Sequence, residues 1–224
     1  RNRSFHKMLT DGVDVEFRNR EGQIVPEKVW LVDFENPDKN DWLAVNQFTV
    51  IENGYNRRPD IVLFLNGLPI TVMELKNPAD EAATIWTAFN QIETYKQQIP
   101  SLFTFNEVAV ISDGLHARLG SITSGQERFG FWRTPDGETM AADTDLQLQV
   151  LIRGLFEPRR FLDYLRHFVV FEEDKDKIHK KLAGYHQFRA VRKAVESTIK
   201  ATKGDRRVGG VWHTQGSGKS LTMV

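Results

Sequence analysis

Two apolar runs, Ile61 to Leu65 and Leu68 to Leu75, are separated only by Asn66-Gly67. That pair of residues accepts positive φ at both central positions of a tight turn, so the spacing predicts a β-hairpin. A hairpin fixes which residues meet across it. Asp60 stands at the mouth of the first strand and Glu74-Leu75-Lys76 at the end of the second, so pairing across the turn brings Asp60 toward Glu74. Residues two apart on a strand share a face, which groups Glu74 and Lys76 with Ile70 and Val72 and sends Leu75 to the other layer. Charged tips on two otherwise apolar strands are hard to explain as packing. Two carboxylates with the Leu75 carbonyl make a hard oxygen set suited to Mg²⁺, and Lys76 adds a compact positive charge for a water or a phosphate.

Composition narrows the rest. Of 224 residues, 40% are hydrophobic, enough for a sizeable core. Thirty Lys and Arg balance thirty Asp and Glu, so any grip on nucleic acid must be local. Cysteine is absent, which excludes disulfides and thiolate metal sites, and the six histidines show no ligand spacing. No apolar run approaches the roughly 18 residues of a membrane span, and Arg1 to Phe5 lacks a signal-peptide stretch, so a cytoplasmic address is expected. The chain opens without methionine and stops soon after Ser220, so it reads as a fragment.

Short strands and irregular connections are expected over residues 11–50. A helix is expected from Asn77-Pro78 to about Gln98, with Ile85, Phe89, Ile92 and Ile99 on its buried stripe. Residues 107–112 read as a strand, turned at Asp113-Gly114, and 115–119 as its return. A loop over 120–144 is anchored by Phe129, Phe131 and Trp132. Helical spacing returns over 146–156 and 161–171, and the charged run 172–181 reads as a solvated connector. Phe188, Val191, Val195 and Ile199 form a further helical stripe, followed by a loop and a short strand over 208–212.

That strand leads to Gly216-Ser217-Gly218-Lys219-Ser220, a loop whose amides and ammonium suit nucleotide phosphates, with the Ser220 hydroxyl placed for Mg²⁺. His213 stands where the fuller phosphate-loop pattern has its first glycine. Upstream, Gln187 offers an amide able to pair with one adenine edge.

The motifs Pro59-Asp60, Glu74-x-Lys76 and Gln91-x-x-x-Tyr95 together resemble those of the PD-(D/E)XK nucleases, in the branch that carries a Gln-xxx-Tyr pair. Running text such as 45–50, 58–64, 74–78, 98–102, 111–114 and 212–220 resembles the restriction subunit of type I restriction-modification enzymes over essentially the whole chain. The resemblance implies an α/β fold: a nuclease-like mixed sheet flanked by helices, then helices, then the first strand and P-loop of a RecA-like superfamily 2 helicase domain. It implies an endonuclease domain over 1–144, a connecting helical segment over 145–183 and the start of a motor over 184–224. Asp60, Glu74 and Lys76 would be catalytic, with Gln91 and Tyr95 supporting cleavage or DNA binding. Gln187, Thr214, Gly216, Ser217, Gly218, Lys219 and Ser220 would bind ATP, and Asp60, Glu74 and Ser220 would hold metal. The implied enzyme is a type I site-specific deoxyribonuclease that moves double-stranded DNA with ATP and cuts it with Mg²⁺ away from an unmethylated recognition site. Its partners would be methyltransferase and specificity subunits, with S-adenosylmethionine bound in the partners. Two other readings are a repair-type nuclease-helicase without a methyltransferase and a catalytically silent DNA clamp on an ATPase.

Overall fold

The computed structural model describes residues 1–80, 84–204, 206–212, 218 and 222. The chain opens with helix α1 (Asn2–Asp11) and a two-stranded hairpin, β1 (Val13–Arg18) and β2 (Ile24–Val29). Strand β3 (Trp42–Asn46) follows, then a small hairpin of β4 (Val50–Glu52) and β5 (Tyr55–Arg57), then β6 (Ile61–Leu65) and β7 (Leu68–Leu75). Helices α2 (Ile85–Gln98) and α3 (Pro100–Thr104) lead to β8 (Val108–Ser112) and β9 (Ala117–Gly120). Helices α4 (Gln147–Leu155) and α5 (Pro158–His167), the hairpin of β10 (Val169–Asp174) and β11 (Lys177–Leu182), and helix α6 (Tyr185–Thr202) complete the described elements.

The central sheet has the order β3-β6-β7-β8-β9 and is mixed: β7 and β8 run parallel, and the other neighbours run antiparallel. The hairpin at its centre forms as expected. Asn66 and Gly67 take φ of 50° and 78°, and Asn66 ties the turn down: its Oδ1 accepts from the Asp41 N–H at 2.7 Å and its Nδ2 donates to the Leu31 carbonyl at 2.8 Å. Leu63 faces Thr71 but Phe64 faces Pro69, which leaves Ile70 as a bulge without a partner across the hairpin. The bulge resets the alternation. Val72 joins the cluster under α2, while Ile70 joins the opposite one, so the expectation that Ile70 shares a face with Val72 and Glu74 is corrected.

Each face of the sheet is covered. On one side Val62, Val72, Ala109 and Ile111 pack against Ile85, Phe89 and Ile92 of α2 and Leu102 of α3. On the other, Leu65, Met73, Val108 and Val110 meet Phe5 and Leu9 of α1, Leu151 of α4, Phe161 and Leu165 of α5, and Phe188 of α6. Full burial of each such side chain contributes about 1.5–3 kcal/mol relative to exposure, which fixes the sheet between its two layers.

Several local expectations are corrected. Asn77-Pro78 does not open a helix, because the Asn77 Oδ1 accepts from the Ala79 N–H at 3.0 Å and the segment turns; α2 begins at Ile85. The helix expected over 161–171 ends at His167, and residues 172–181 form most of a β-hairpin rather than a solvated connector. Phe129 and Trp132 are buried as anchors, but Phe131 is exposed. The α6 stripe is buried at Phe188 and open at Val195 and Ile199. Residues 208–212 form no strand.

Candidate active site

The hairpin pairing runs to Ile61 opposite Met73, so Asp60 and Glu74 stand at the next step beyond the ladder. There the side chain of Asp60 replaces a strand partner: its Oδ2 accepts from the Leu75 N–H at 2.8 Å. The Asp60 carbonyl accepts from the Gln47 N–H, also at 2.8 Å, which anchors the acid to the end of β3. Lys76 is fixed through its N–H to the Ser112 carbonyl at 2.8 Å, just past the parallel pairing of Leu75 with Ser112. Three strands therefore set the positions of the acids and the amine.

Glu74 is 3% exposed. Its Oε1 accepts from the Lys76 Nζ at 2.7 Å, whereas its Oε2 is buried with no hydrogen-bond partner. Burial pushes the Glu74 carboxyl above the usual carboxylate range; the Lys76 hydrogen bond opposes that, and the Asp60 charge adds to it. Tyr95 lies on the facing side of α2, and its hydroxyl is pushed well upward, first by burial and then by the Glu74 charge, with Gln91 beside it acting the other way. Tyr95 is thus a neutral phenol, able to donate toward an anion. The structure brings Asp60, Glu74, Lys76, Gln91 and Tyr95 together at one end of the sheet.

A buried carboxylate oxygen left without a donor is costly unless something positive meets it. Glu74 Oε2, the Asp60 carboxylate and the Leu75 carbonyl offer such a place to a hard divalent cation. Among the described residues there is no group of three or more His, Cys, Asp or Glu side chains suited to a metal. A two-carboxylate set fits Mg²⁺, which binds through one or two carboxylates and retains several waters, and does not fit a closed four-ligand zinc site.

At the other end of the chain, Gln187 sits in the first turn of α6. Its Oε1 accepts from the Gly184 N–H at 2.8 Å, and its Nε2 donates to the Gly218 carbonyl at 3.1 Å. The amide thus caps its helix and ties it to Gly218, whose φ is 77°. Thr214, Gly216, Ser217, Lys219 and Ser220 lie outside the described residues. Gln187 borders a groove of about 930 Å³ between α5, β11 and α6, which none of the five nuclease-type residues lines.

Sequence reasoning missed one charged centre. Lys180 and Glu107 are both fully buried and bonded at 2.6 Å, with His6 Nδ1 2.8 Å from the same carboxylate oxygen. The partners are 73 positions apart, so spacing gave no signal.

A mixed sheet that presents two carboxylates and a lysine beyond its central hairpin, under a helix carrying Gln and Tyr, defines a nuclease-like α/β domain. The family described as Type I restriction enzyme R protein N terminus matches residues 1–128, and the chain belongs to that family. The description SWI2/SNF2 ATPase matches residues 186–224. The chain is 50% identical over 230 aligned residues to the type I restriction enzyme HindI endonuclease subunit of Haemophilus influenzae, with all of this chain and 22% of the relative covered. It is 39% identical to a Methanocaldococcus jannaschii protein named as a type I restriction enzyme MjaIXP endonuclease subunit, covering all of this chain and 23% of that one. A Staphylococcus aureus type I restriction enzyme endonuclease subunit is 30% identical over 82% of this chain and 19% of its own length. The chain thus spans about a fifth of the length of these relatives.

Proposed function

We propose that this chain forms the DNA-cutting part, and the beginning of the motor, of the restriction subunit of a type I restriction-modification enzyme. The observation that carries the proposal is Glu74 Oε2, buried and unpaired beside Asp60 while Oε1 of the same carboxylate holds Lys76. Asp60, Glu74 and the Leu75 carbonyl would hold Mg²⁺. When bound, the ion would supply Lewis-acid polarisation of the scissile phosphate and a more acidic water.

The remaining work falls to the chain's own groups. The Leu75 N–H fixes the Asp60 carboxylate, so that acid approaches the reaction already oriented. Lys76 is partly exposed and tethered to Glu74, so its ammonium can turn a proton toward a phosphate oxygen or align the attacking water. Tyr95, held neutral, can donate to the incoming phosphate, with Gln91 beside it. Water adds at phosphorus and loses a proton to solvent, the P–O bond to the leaving nucleotide breaks, and the leaving oxygen takes up a proton from solvent to end as a hydroxyl.

The match of residues 186–224 to an SWI2/SNF2 ATPase supports an ATP-driven motor that moves double-stranded DNA. The relatives' names, each an endonuclease subunit, support membership of a multi-subunit enzyme acting on DNA; methyltransferase and specificity subunits, S-adenosylmethionine bound in those partners, and action in the cytoplasm away from an unmethylated site belong to the same proposal. Among the described residues no helix is long and apolar enough to cross a membrane. Mg²⁺-dependent cleavage by the full-length subunit in its assembled enzyme tests the proposal. Asp60→Asn and Lys76→Met should each lower the cleavage rate by about 10²–10³-fold, with ATP hydrolysis retained. Unchanged cleavage in both variants would reject the assignment.

A further inference from the structure

The β4–β5 hairpin lies beside the acid–amine centre and has no part in the chemistry above. Its conformation is tightly set. The tip residues Asn53 and Gly54 take φ of 50° and 78°, a two-residue turn like that at Asn66-Gly67. Asn53 Nδ2 donates to the Gln98 carbonyl at 3.4 Å, and the Glu52 carboxylate accepts from both the N–H and the hydroxyl of Ser101, at 3.1 and 2.7 Å. The Arg57 Nε donates to the Gln98 side-chain carbonyl. The hairpin is thereby clamped to the C-terminal end of α2, the helix that carries Gln91 and Tyr95, and to the start of α3.

The clamp holds one edge of the Arg57 guanidinium and no more. Gln98 is a neutral acceptor, so the positive charge is positioned without being neutralised. Among the described residues neither Arg57 nor the exposed Arg58 has an acidic partner: Glu52 is occupied at Ser101, and Glu93 is paired with Lys96 at 2.6 Å. The Arg57 guanidinium also lies 5.7 Å from the ring centre of Tyr55, a contact that restrains it further. Two adjacent unpaired arginines are therefore a local surplus of charge on a chain with none overall.

Their placement is specific. Arg57 and Arg58 precede Asp60 by three and two residues. Gln98, which grips Arg57, lies three residues beyond Tyr95, about 4.5 Å along the helix axis. Arg57 is thus held within one turn of α2 from Tyr95 and three residues from Asp60, which puts its charge beside the place where a strand cut at Asp60 and Glu74 would lie. The planar fork of arginine matches two phosphate oxygens at once, and fixing it in advance lowers the entropy lost on binding.

From this geometry we infer that the Val50–Arg57 hairpin is a rigid DNA-backbone clamp, in which Arg57 and Arg58 hold phosphates flanking the cut without reading sequence. The inference rests on the nuclease reading of the Asp60–Glu74–Lys76 centre, and the experiment separates the two. Binding of the full-length subunit to a duplex lacking a recognition site is measured with Ca²⁺ in place of Mg²⁺ over a salt series, and cleavage is measured in parallel with the assembled enzyme, Mg²⁺ and ATP on DNA carrying an unmethylated recognition site. Arg57→Gln and Arg58→Gln should each flatten the slope of log affinity against log salt by about 0.9. Each should therefore lose about threefold of the wild-type fall in affinity between about 50 and about 200 mM salt. Arg18→Gln, on the distant β1–β2 hairpin, should leave the slope unchanged. Arg58 is exposed, so its variant cannot fail merely by unfolding, and Arg57→Lys should restore the slope but not the full affinity. Slopes equal to wild type in both glutamine variants, or loss of subunit assembly with unchanged DNA binding, would overturn the clamp while leaving the nuclease reading intact. Absence of Mg²⁺-dependent cleavage by the wild-type assembled enzyme on that site-bearing DNA would instead overturn the nuclease reading.

Discussion

Two glutamate–lysine pairs stand at opposite ends of the β7–β8 ladder, and their surroundings differ. At one end Glu107, whose N–H donates to the Ile70 carbonyl, meets Lys180 with both side chains sealed from solvent. At the other end Glu74 meets Lys76, whose side chain is 23% exposed, with the partly exposed Asp60 alongside. Each glutamate retains one buried oxygen without a donor. What separates the pairs is the number of other anchors. Lys180 donates to Glu107, to the Asn106 carbonyl and to the Asn2 Oδ1, and its own carbonyl accepts from the Ser121 and Thr123 hydroxyls. Lys76 makes a single side-chain bond. A closed pair whose lysine is fully engaged joins elements together; a pair with an accessible amine and a second acid at its side is open to a ligand.

The contrast predicts opposite responses to the same substitution. Lys180→Met leaves the Glu107 charge buried without its counter-ion and should cost about 3–5 kcal/mol of stability, read by denaturant unfolding. Lys76→Met should cost less in the same measurement, because Glu74, whose carboxyl burial already pushes upward, can take up a proton in place of its counter-ion. Equal costs would mean that the two pairs play the same structural role. Adding Glu107→Gln to Lys180→Met should recover much of the loss, since no unpaired buried charge then remains.

A smaller effect is expected from pH. Glu74 holds its proton more tightly in the folded chain than in the unfolded one, where a glutamate titrates near 4.5. Below that pH both states are protonated, and as pH rises through the folded value the native state gives up a proton that the unfolded state has already lost. Stability from this group therefore falls with rising pH. Glu74→Gln should gain on wild type as pH is raised from about 4 toward 7, and added Mg²⁺ should cancel the gain by stabilising the ionised carboxylate. A difference independent of both pH and Mg²⁺ would contradict the shift and its cause.

Legibility in the sequence followed the range of the interactions. The hairpin around Asn66-Gly67, the convergence of Asp60 with Glu74 and Lys76, and the buried stripe of α2 rest on turn chemistry and periodicity, and all are in the structure. The bulge at Ile70 was hidden, because an extra residue in a strand leaves no local signature among apolar neighbours. The start of α2 was misplaced because an asparagine before proline can close a side-chain turn as readily as it caps a helix. Lys180 appeared to be one of many solvated charges in residues 172–181; its partner, Glu107, reaches it only once the chain has folded. The Gln98 grip on Arg57 was likewise invisible, although both residues flank recognisable motifs.

The central claim is that Asp60 and Glu74 share one divalent ion. Anomalous diffraction from crystals of the full-length subunit soaked in Mn²⁺ tests it most directly, at a concentration that supports cleavage in place of Mg²⁺. The account predicts one peak within about 2.3 Å of a carboxylate oxygen of each acid, lost in Glu74→Gln. An active enzyme whose only manganese peak lies away from both acids would contradict it.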